Sequence, residues 1–217
     1  MTECNCSEVD HDRVVADGVT AVVQGISDAA LPVVRNGGWE LWFRNLLLMN
    51  LERDRTLGSI GFTERRGAGR RRADVVFDCL ACPRSTLALE VKTNFLSQSK
   101  RVRSRINDAR EQLKSYVEQD VPSFLIYSIT HLWFTPEDRY VTKHNGVLKR
   151  TGYKHFRKRG ANEKEEWADT SLSPENQLAE ARIKLGSAHA LIGVWAARVT
   201  RGKYPLRFIR QDEARGR

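Results

Sequence analysis

The sequence predicts an α/β fold in which a central mixed β-sheet is flanked by helices and followed by a basic C-terminal extension. Three observations carry that expectation. Ala73 to Leu80 and Thr86 to Lys92 have strand composition and are separated by Pro83-Arg84-Ser85, which reads as an antiparallel hairpin. Between Ser97 and Gln119, Val102, Ile106, Ala109, Leu113 and Tyr116 recur with the 3.6-residue period of an amphipathic helix. Ser123 to Thr130 then follows Val121-Pro122 as a mostly apolar run, the pattern of a strand buried on both faces at the centre of a sheet.

A chain of 217 residues suits one domain with a substantial core, and 41% hydrophobic residues exclude wholesale disorder. Its 36 Lys and Arg against 27 Asp and Glu give a net charge of +9, which points to an anionic partner. No uninterrupted apolar run is long enough to span a bilayer, and the acidic, polar start is unlike a signal peptide. The expectation is a cytoplasmic protein with no membrane partner.

In chain order, residues 1–12 read as a polar tail and Val14 to Leu31 as a helix, before Gly37-Gly38 breaks the chain. From Trp39 to Leu51 apolar residues surround most of a helix, as in an element covered on several sides. Glu40 is the only acid inside it. A carboxylate there needs a partner or a cation, or else is a first-turn acid favoured by the helix dipole. Glu64 to Arg72 holds five arginines and two glycines and reads as a basic loop.

If the hairpin turn centres near Pro83, opposed residue numbers sum to about 166, by the strict alternation of a strand. Val75, Phe77, Leu87, Leu89 and Val91 then share an apolar face, while Asp74, Glu90 and Lys92 share the other, with Asp74 across from Lys92. A surface ion-pair cluster has the same signature. On the helix that follows, Gln112 lies one turn before Tyr116.

The last third is expected to be a basic loop followed by a C-terminal helix packed on the same domain, spanning 136–217. Lys143 to Lys164 carries eight Lys and Arg and one acid, with Tyr153, His155 and Phe156 interleaved. Ser173-Pro174-Glu175 reads as a helix start, with apolar positions Leu178, Ala181, Leu185, Ala188, Ile192 and Trp195 running toward Val199.

In order, the chain offers a helix with Glu40, strands with Asp74 and with Glu90-Val91-Lys92, a helix with Gln112-Leu-Lys-Ser-Tyr116, and a buried strand. This order resembles the PD-(D/E)XK nuclease superfamily, the restriction-endonuclease-like fold, over roughly Trp39 to Thr130. The Gln-x-x-x-Tyr helix is similar to that of the RecB-like branches. The signature proline is replaced by Ala73. Within such an assignment residues 13–135 form the nuclease core.

The resemblance implies a metal-dependent nuclease hydrolysing phosphodiester bonds, with DNA favoured as the partner and Mg²⁺, or Mn²⁺ in its place, as cofactor. Asp74, Glu90 and the Val91 carbonyl would hold the metal, and Lys92 would position the attacking water. Glu40 would bind a second metal or orient water, and Gln112 with Tyr116 would brace the site. Mg²⁺ takes oxygen ligands and keeps several waters, which suits two carboxylates. Arg65, Arg66, Arg70, Arg71 and Arg72, with Lys100, Arg101 and Arg103, would grip the phosphate backbone. A homodimer would let two sites cut both strands.

Cys4, Cys6, Cys79 and Cys82 are too few and too uneven for a disulfide framework. Their spacing leaves open a tetrahedral Zn²⁺ site, with free thiols the favoured expectation. Two other functions fit the same residues. One is an RNA-cleaving nuclease with the same site, the other a non-catalytic nucleic-acid-binding protein whose acids and Lys92 form ordinary ion pairs.

Overall fold

A computed structural model describes residues 9–27, 30–35, 39–53, 59–63, 73–80, 85–95, 102–134, 172, 176–185 and 188–210. The elements are α1 (His11–Gln24), α2 (Leu31–Arg35), α3 (Trp39–Arg53), β1 (Ser59–Thr63), β2 (Val75–Cys79), β3 (Ser85–Phe95), α4 (Val102–Glu118), β4 (Ser123–Phe134), β5 (Ala179–Leu185), β6 (Ala188–Val199) and β7 (Leu206–Phe208). They build one mixed, open sheet in the order β1-β2-β3-β4-β6-β5, with β7 also paired to β6. The α/β class and the helix-flanked mixed sheet expected from the sequence are both present.

β1, β2 and β3 form an antiparallel meander. β4 returns parallel to β3, with Lys92 beside Tyr127, so α4 is the crossover between them. This sets β4 between β3 and β6, and every residue from Ser123 to Thr130 is buried, as its apolar run predicts. Alternation then divides the core into two layers. On one face Val75, Phe77, Leu89, Val91, Phe124 and Ile126 pack under α1 and α3. On the other Val76, Ala88, Leu125 and Tyr127 pack under the stripe Ile106, Ala109, Leu113 and Tyr116 of α4.

α1 starts where Asp10 caps it, its side chain accepting the Arg13 amide at 3.1 Å. Gly18 lets α3 approach closely: a Cβ there would lie 2.6 Å from Leu51 Cδ2. α3 presents Trp39, Phe43, Leu47 and Leu51 inward, a single stripe repeating every fourth residue. α1, α2, β1 and β3 pack against α3, and Trp42, Leu46 and Leu48 are half-buried beside that stripe. Leu41 and Met49 remain 54% and 49% exposed. The indole N–H of Trp39 donates to Ser128 Oγ at 3.1 Å in the interior, pinning the start of α3 to β4.

Two expectations need correction. The hairpin register is shifted: Val75 faces Leu89, not Val91, and an irregularity falls between Phe77 and Asp78. β3 already begins at Ser85, so the strands cross over earlier than a turn centred on Pro83 allows. The shift is even, so the division into an apolar and a charged face survives. Asp74, just before β2, continues the register beside Glu90, not opposite Lys92.

The second concerns the C-terminal third, where the expected helix is an antiparallel pair of strands. β5 and β6 are separated in sequence only by Gly186-Ser187, and β6 pairs along β4 from Ser123↔Val199 to Phe134↔Ala188. Of the positions spaced like one helical face, Ile192 and Trp195 sit in a run apolar on both strand faces, Leu191 to Ala197, suited to a central strand, while Ala179 to Leu185 alternates apolar and charged residues with the period of a strand. Ser173-Pro174-Glu175 and the Lys143–Lys164 segment lie outside the described residues. Among the described residues no helix is long and apolar enough to cross a membrane.

Candidate active site

The end of the sheet at which β2 begins and β3 finishes gathers most of the singled-out acids. Asp74 and Glu90 hold each other through the backbone. The Asp74 amide donates to Glu90 Oε2 at 3.1 Å, and the Val91 amide donates to Asp74 Oδ2 at 2.8 Å. Each carboxylate therefore spends one oxygen on the neighbouring strand and keeps the other, Asp74 Oδ1 and Glu90 Oε1, for a different partner.

Those partners are cations. Lys92 Nζ contacts Glu90 Oε1 and lies 3.9 Å from Asp74 Oδ2. Arg44, one turn beyond Glu40 on α3, brings Nη1 to 3.5 Å from Asp74 Oδ1. Glu90 is completely buried, so desolvation, reinforced by the Asp74 charge and opposed by Lys92, raises its carboxyl pKa to about 8. A carboxylate with this environment calls for a strong counter-charge.

Lys92 also opens onto a cleft of about 540 Å³ lined by Glu40, Lys92, Arg105, Asp108, Glu111 and Gln112. One wall is α4, which presents Arg105, Asp108, Glu111 and Gln112 at helical spacing. Glu40 closes the other side. Its Oε2 accepts the Thr93 amide at 3.1 Å and Arg105 Nη1 at 3.3 Å, and Arg105 also donates to the Thr93 carbonyl. Glu40 thus ties α3 to the end of β3 and to α4. Beneath lies Tyr127, 1% exposed, whose phenol is held protonated by burial and whose hydroxyl has no hydrogen-bond partner among the described residues.

Of the residues singled out from sequence, Asp74, Glu90, Val91 and Lys92 come together, and Lys92, Glu40 and Gln112 share the cleft. Val91 enters through its amide. Tyr116 is buried in the core beneath α4. Glu40 does not join the acid pair: among the described residues no three His, Cys, Asp or Glu are grouped to hold a metal. Arg103 is exposed on α4, while Arg65, Arg66, Arg70, Arg71, Arg72, Lys100 and Arg101 lie outside the described residues. So do Cys4, Cys6 and Cys82, and Cys79 is half-buried on β2.

Sequence reasoning missed Arg44 as a partner of Asp74 and Arg105 as a partner of Glu40. Arg44 had a signal. An arginine four residues after Glu40 in an otherwise apolar helix raises the same question as the acid does.

Fold and site together define an α/β protein with a mixed, open sheet that carries an acid pair and a lysine at one end. Comparison with protein-family models, with curated proteins and with solved structures finds no match to this chain.

Proposed function

We propose that the protein is a Mg²⁺-dependent nuclease of the PD-(D/E)XK type that hydrolyses phosphodiester bonds, with DNA as the favoured substrate. One observation carries the reading: Asp74 and Glu90 lock together through the backbone, each keeping one oxygen turned toward a cationic side chain, with Lys92 on the same face. The element order α3, β1, β2, β3, α4, β4, with β4 parallel to β3, supports it because it keeps the resemblance's sequence of motif-bearing elements.

The donor set fits the metal. Asp74 Oδ1 and Glu90 Oε1 are hard oxygens, only two in number, as suits a cation that keeps several waters. Bound there, the cation would stabilise negative charge on the phosphate and on the departing oxygen and make water a better nucleophile. The chain's own contributions follow from the geometry. Lys92, between the acids and the cleft, orients the attacking water and meets charge growing on a non-bridging phosphate oxygen. Glu40 and Arg105 fix the end of β3, and with it Lys92, against both helices. Gln112 offers the nucleotide a hydrogen-bonding wall beside Lys92.

The non-catalytic reading has one observation in its favour: Arg44 and Lys92 already neutralise the acid pair. One assay separates the readings. Purified protein and Lys92→Ala, both checked for folding, are incubated with supercoiled plasmid, linear duplex, single-stranded DNA and RNA, in Mg²⁺, Mn²⁺ or EDTA. Metal-dependent cleavage of DNA that the variant lacks supports the proposal, and cleavage of RNA alone selects the RNA nuclease. Salt-sensitive binding without cleavage of any substrate selects the binding protein.

A further inference from the structure

Arg44 stands where the proposed cation would have to act. Asp74 Oδ2 is committed to the Val91 amide at 2.8 Å, so Oδ1 is the oxygen left to bind a metal, and Arg44 Nη1 lies 3.5 Å from it. That separation is longer than a tight charge-assisted hydrogen bond, which runs about 2.7–2.9 Å. The arginine supplies charge without clamping the oxygen.

The arginine is also held close. Its side chain is 12% exposed and that of Asp74 18%, so little water screens the charge it places beside the acid. It reaches Asp74 from α3, whose start is tied down by Trp39 to Ser128 and by Glu40 to Thr93. Lys92 approaches from the other side, from β3. Among the described residues two cations therefore flank the acid pair, and the proposed reaction uses only Lys92.

We infer that Arg44 is the counter-ion of Asp74 in the metal-free protein and a positioning residue that a divalent cation must displace from Oδ1, so that it lowers the affinity of the site for metal. The inference rests on the metal-dependent reading above. It makes Arg44 the charge that balances Asp74 Oδ1 before metal arrives. The cost is weakened metal binding.

Mn²⁺ alone serves as the probe, with binding followed by electron paramagnetic resonance of the free ion and by calorimetry, on wild type, Arg44→Met, Arg44→Lys and Asp74→Asn. Arg44→Met is expected to bind Mn²⁺ about tenfold more tightly than wild type, equivalent to ~1.4 kcal/mol. Arg44→Lys, which keeps the charge, should return most of the way to the wild-type affinity, and Asp74→Asn should lose binding. In EDTA the melting temperature of Arg44→Met should fall, and Mn²⁺ should raise it by more than it raises wild type. Arg44→Gln removes the charge while keeping a polar stem and gives the same comparison should the methionine variant not fold.

Equal or weaker Mn²⁺ binding by a folded, uncharged variant overturns the inference while leaving the metal site standing. Binding by the uncharged variants alone supports it. Absence of binding in wild type and in every variant overturns the metal-dependent reading and this inference with it.

Discussion

The Val91 amide donates to Asp74 Oδ2 at 2.8 Å while the Asp74 amide donates to Glu90 Oε2 at 3.1 Å, so the two acids are oriented by each other's strand. Backbone donors fix a carboxylate more firmly than flexible side chains do, since they lose no rotamer freedom when they bind. The acids can therefore stay in place when the cations around them change. Lys92 is the partner they share, with Nζ between Glu90 and Asp74 and the cleft beyond.

Lys92→Ala should separate chemistry from folding. Removing a single charged group that acts in the transition state lowers kcat by about 10²–10³-fold. The fold should persist, because the buried Glu90 can bind a proton in place of the lysine, as its raised pKa already favours. Circular dichroism and melting temperature report the fold and plasmid nicking the chemistry. A variant that nicks as fast as wild type would remove Lys92 from the mechanism.

Ser128→Ala tests what positions α3. The Trp39 indole N–H, buried at the start of that helix, has Ser128 Oγ as its partner at 3.1 Å. Deleting one side of a buried hydrogen bond costs about 1–3 kcal/mol, because the remaining donor stays desolvated. For a chain of this size each 1 kcal/mol lowers the melting temperature by about 2–4 °C. Calorimetry measures the loss, and since Glu40 and Arg44 ride on the same helix, the affinity for Mn²⁺ should change with it.

Much of this was legible from periodicity, and what was not has physical causes. The inward stripe of α4 and the burial of β4 follow from single, unambiguous patterns. The charged face of the hairpin was legible because alternation is strict, but its register was not, since register depends on where the turn lies. Leu178, Ala181, Leu185, Ala188, Ile192 and Trp195 match helical spacing, yet Ala179 to Leu185 also alternates, with Glu180, Arg182 and Lys184 between apolar residues, and Leu191 to Ala197 is apolar throughout. Such an apolar run does not distinguish a buried helix from a central strand, and in the fold it lies along β4. Arg44 became a partner of Asp74 only when α3 and the start of β2 met, a contact between segments thirty residues apart in the chain.

Tyr127→Phe should stabilise the protein. Its hydroxyl is buried without a hydrogen-bond partner among the described residues, so the folded state bears a desolvation cost that phenylalanine lacks. The ring volume is almost unchanged and the aromatic packing under α4 is retained. A gain of about 1 kcal/mol in urea denaturation is expected. A loss of similar size would mean that the phenol has a partner, most directly a buried water.

The pH dependence of stability should bear the mark of Glu90. Its carboxyl titrates near 8 in the folded protein against 4.5 ordinarily, mainly because burial penalises the charged form. The folded state thus holds the proton more tightly than the unfolded state. The stability from this group is full below its unfolded pKa and is lost as pH rises through the folded value. In EDTA the melting temperature should fall between about pH 5 and pH 8, and Glu90→Gln, which cannot ionise, should flatten that fall. A divalent cation reverses the sign, because it binds the ionised carboxylate and drives the proton off. Mn²⁺ affinity should therefore increase over the same interval and level off above it, with proton release measurable by calorimetry in buffers of different ionisation enthalpy. A Glu90→Gln profile as steep as wild type would assign the pH dependence to another group.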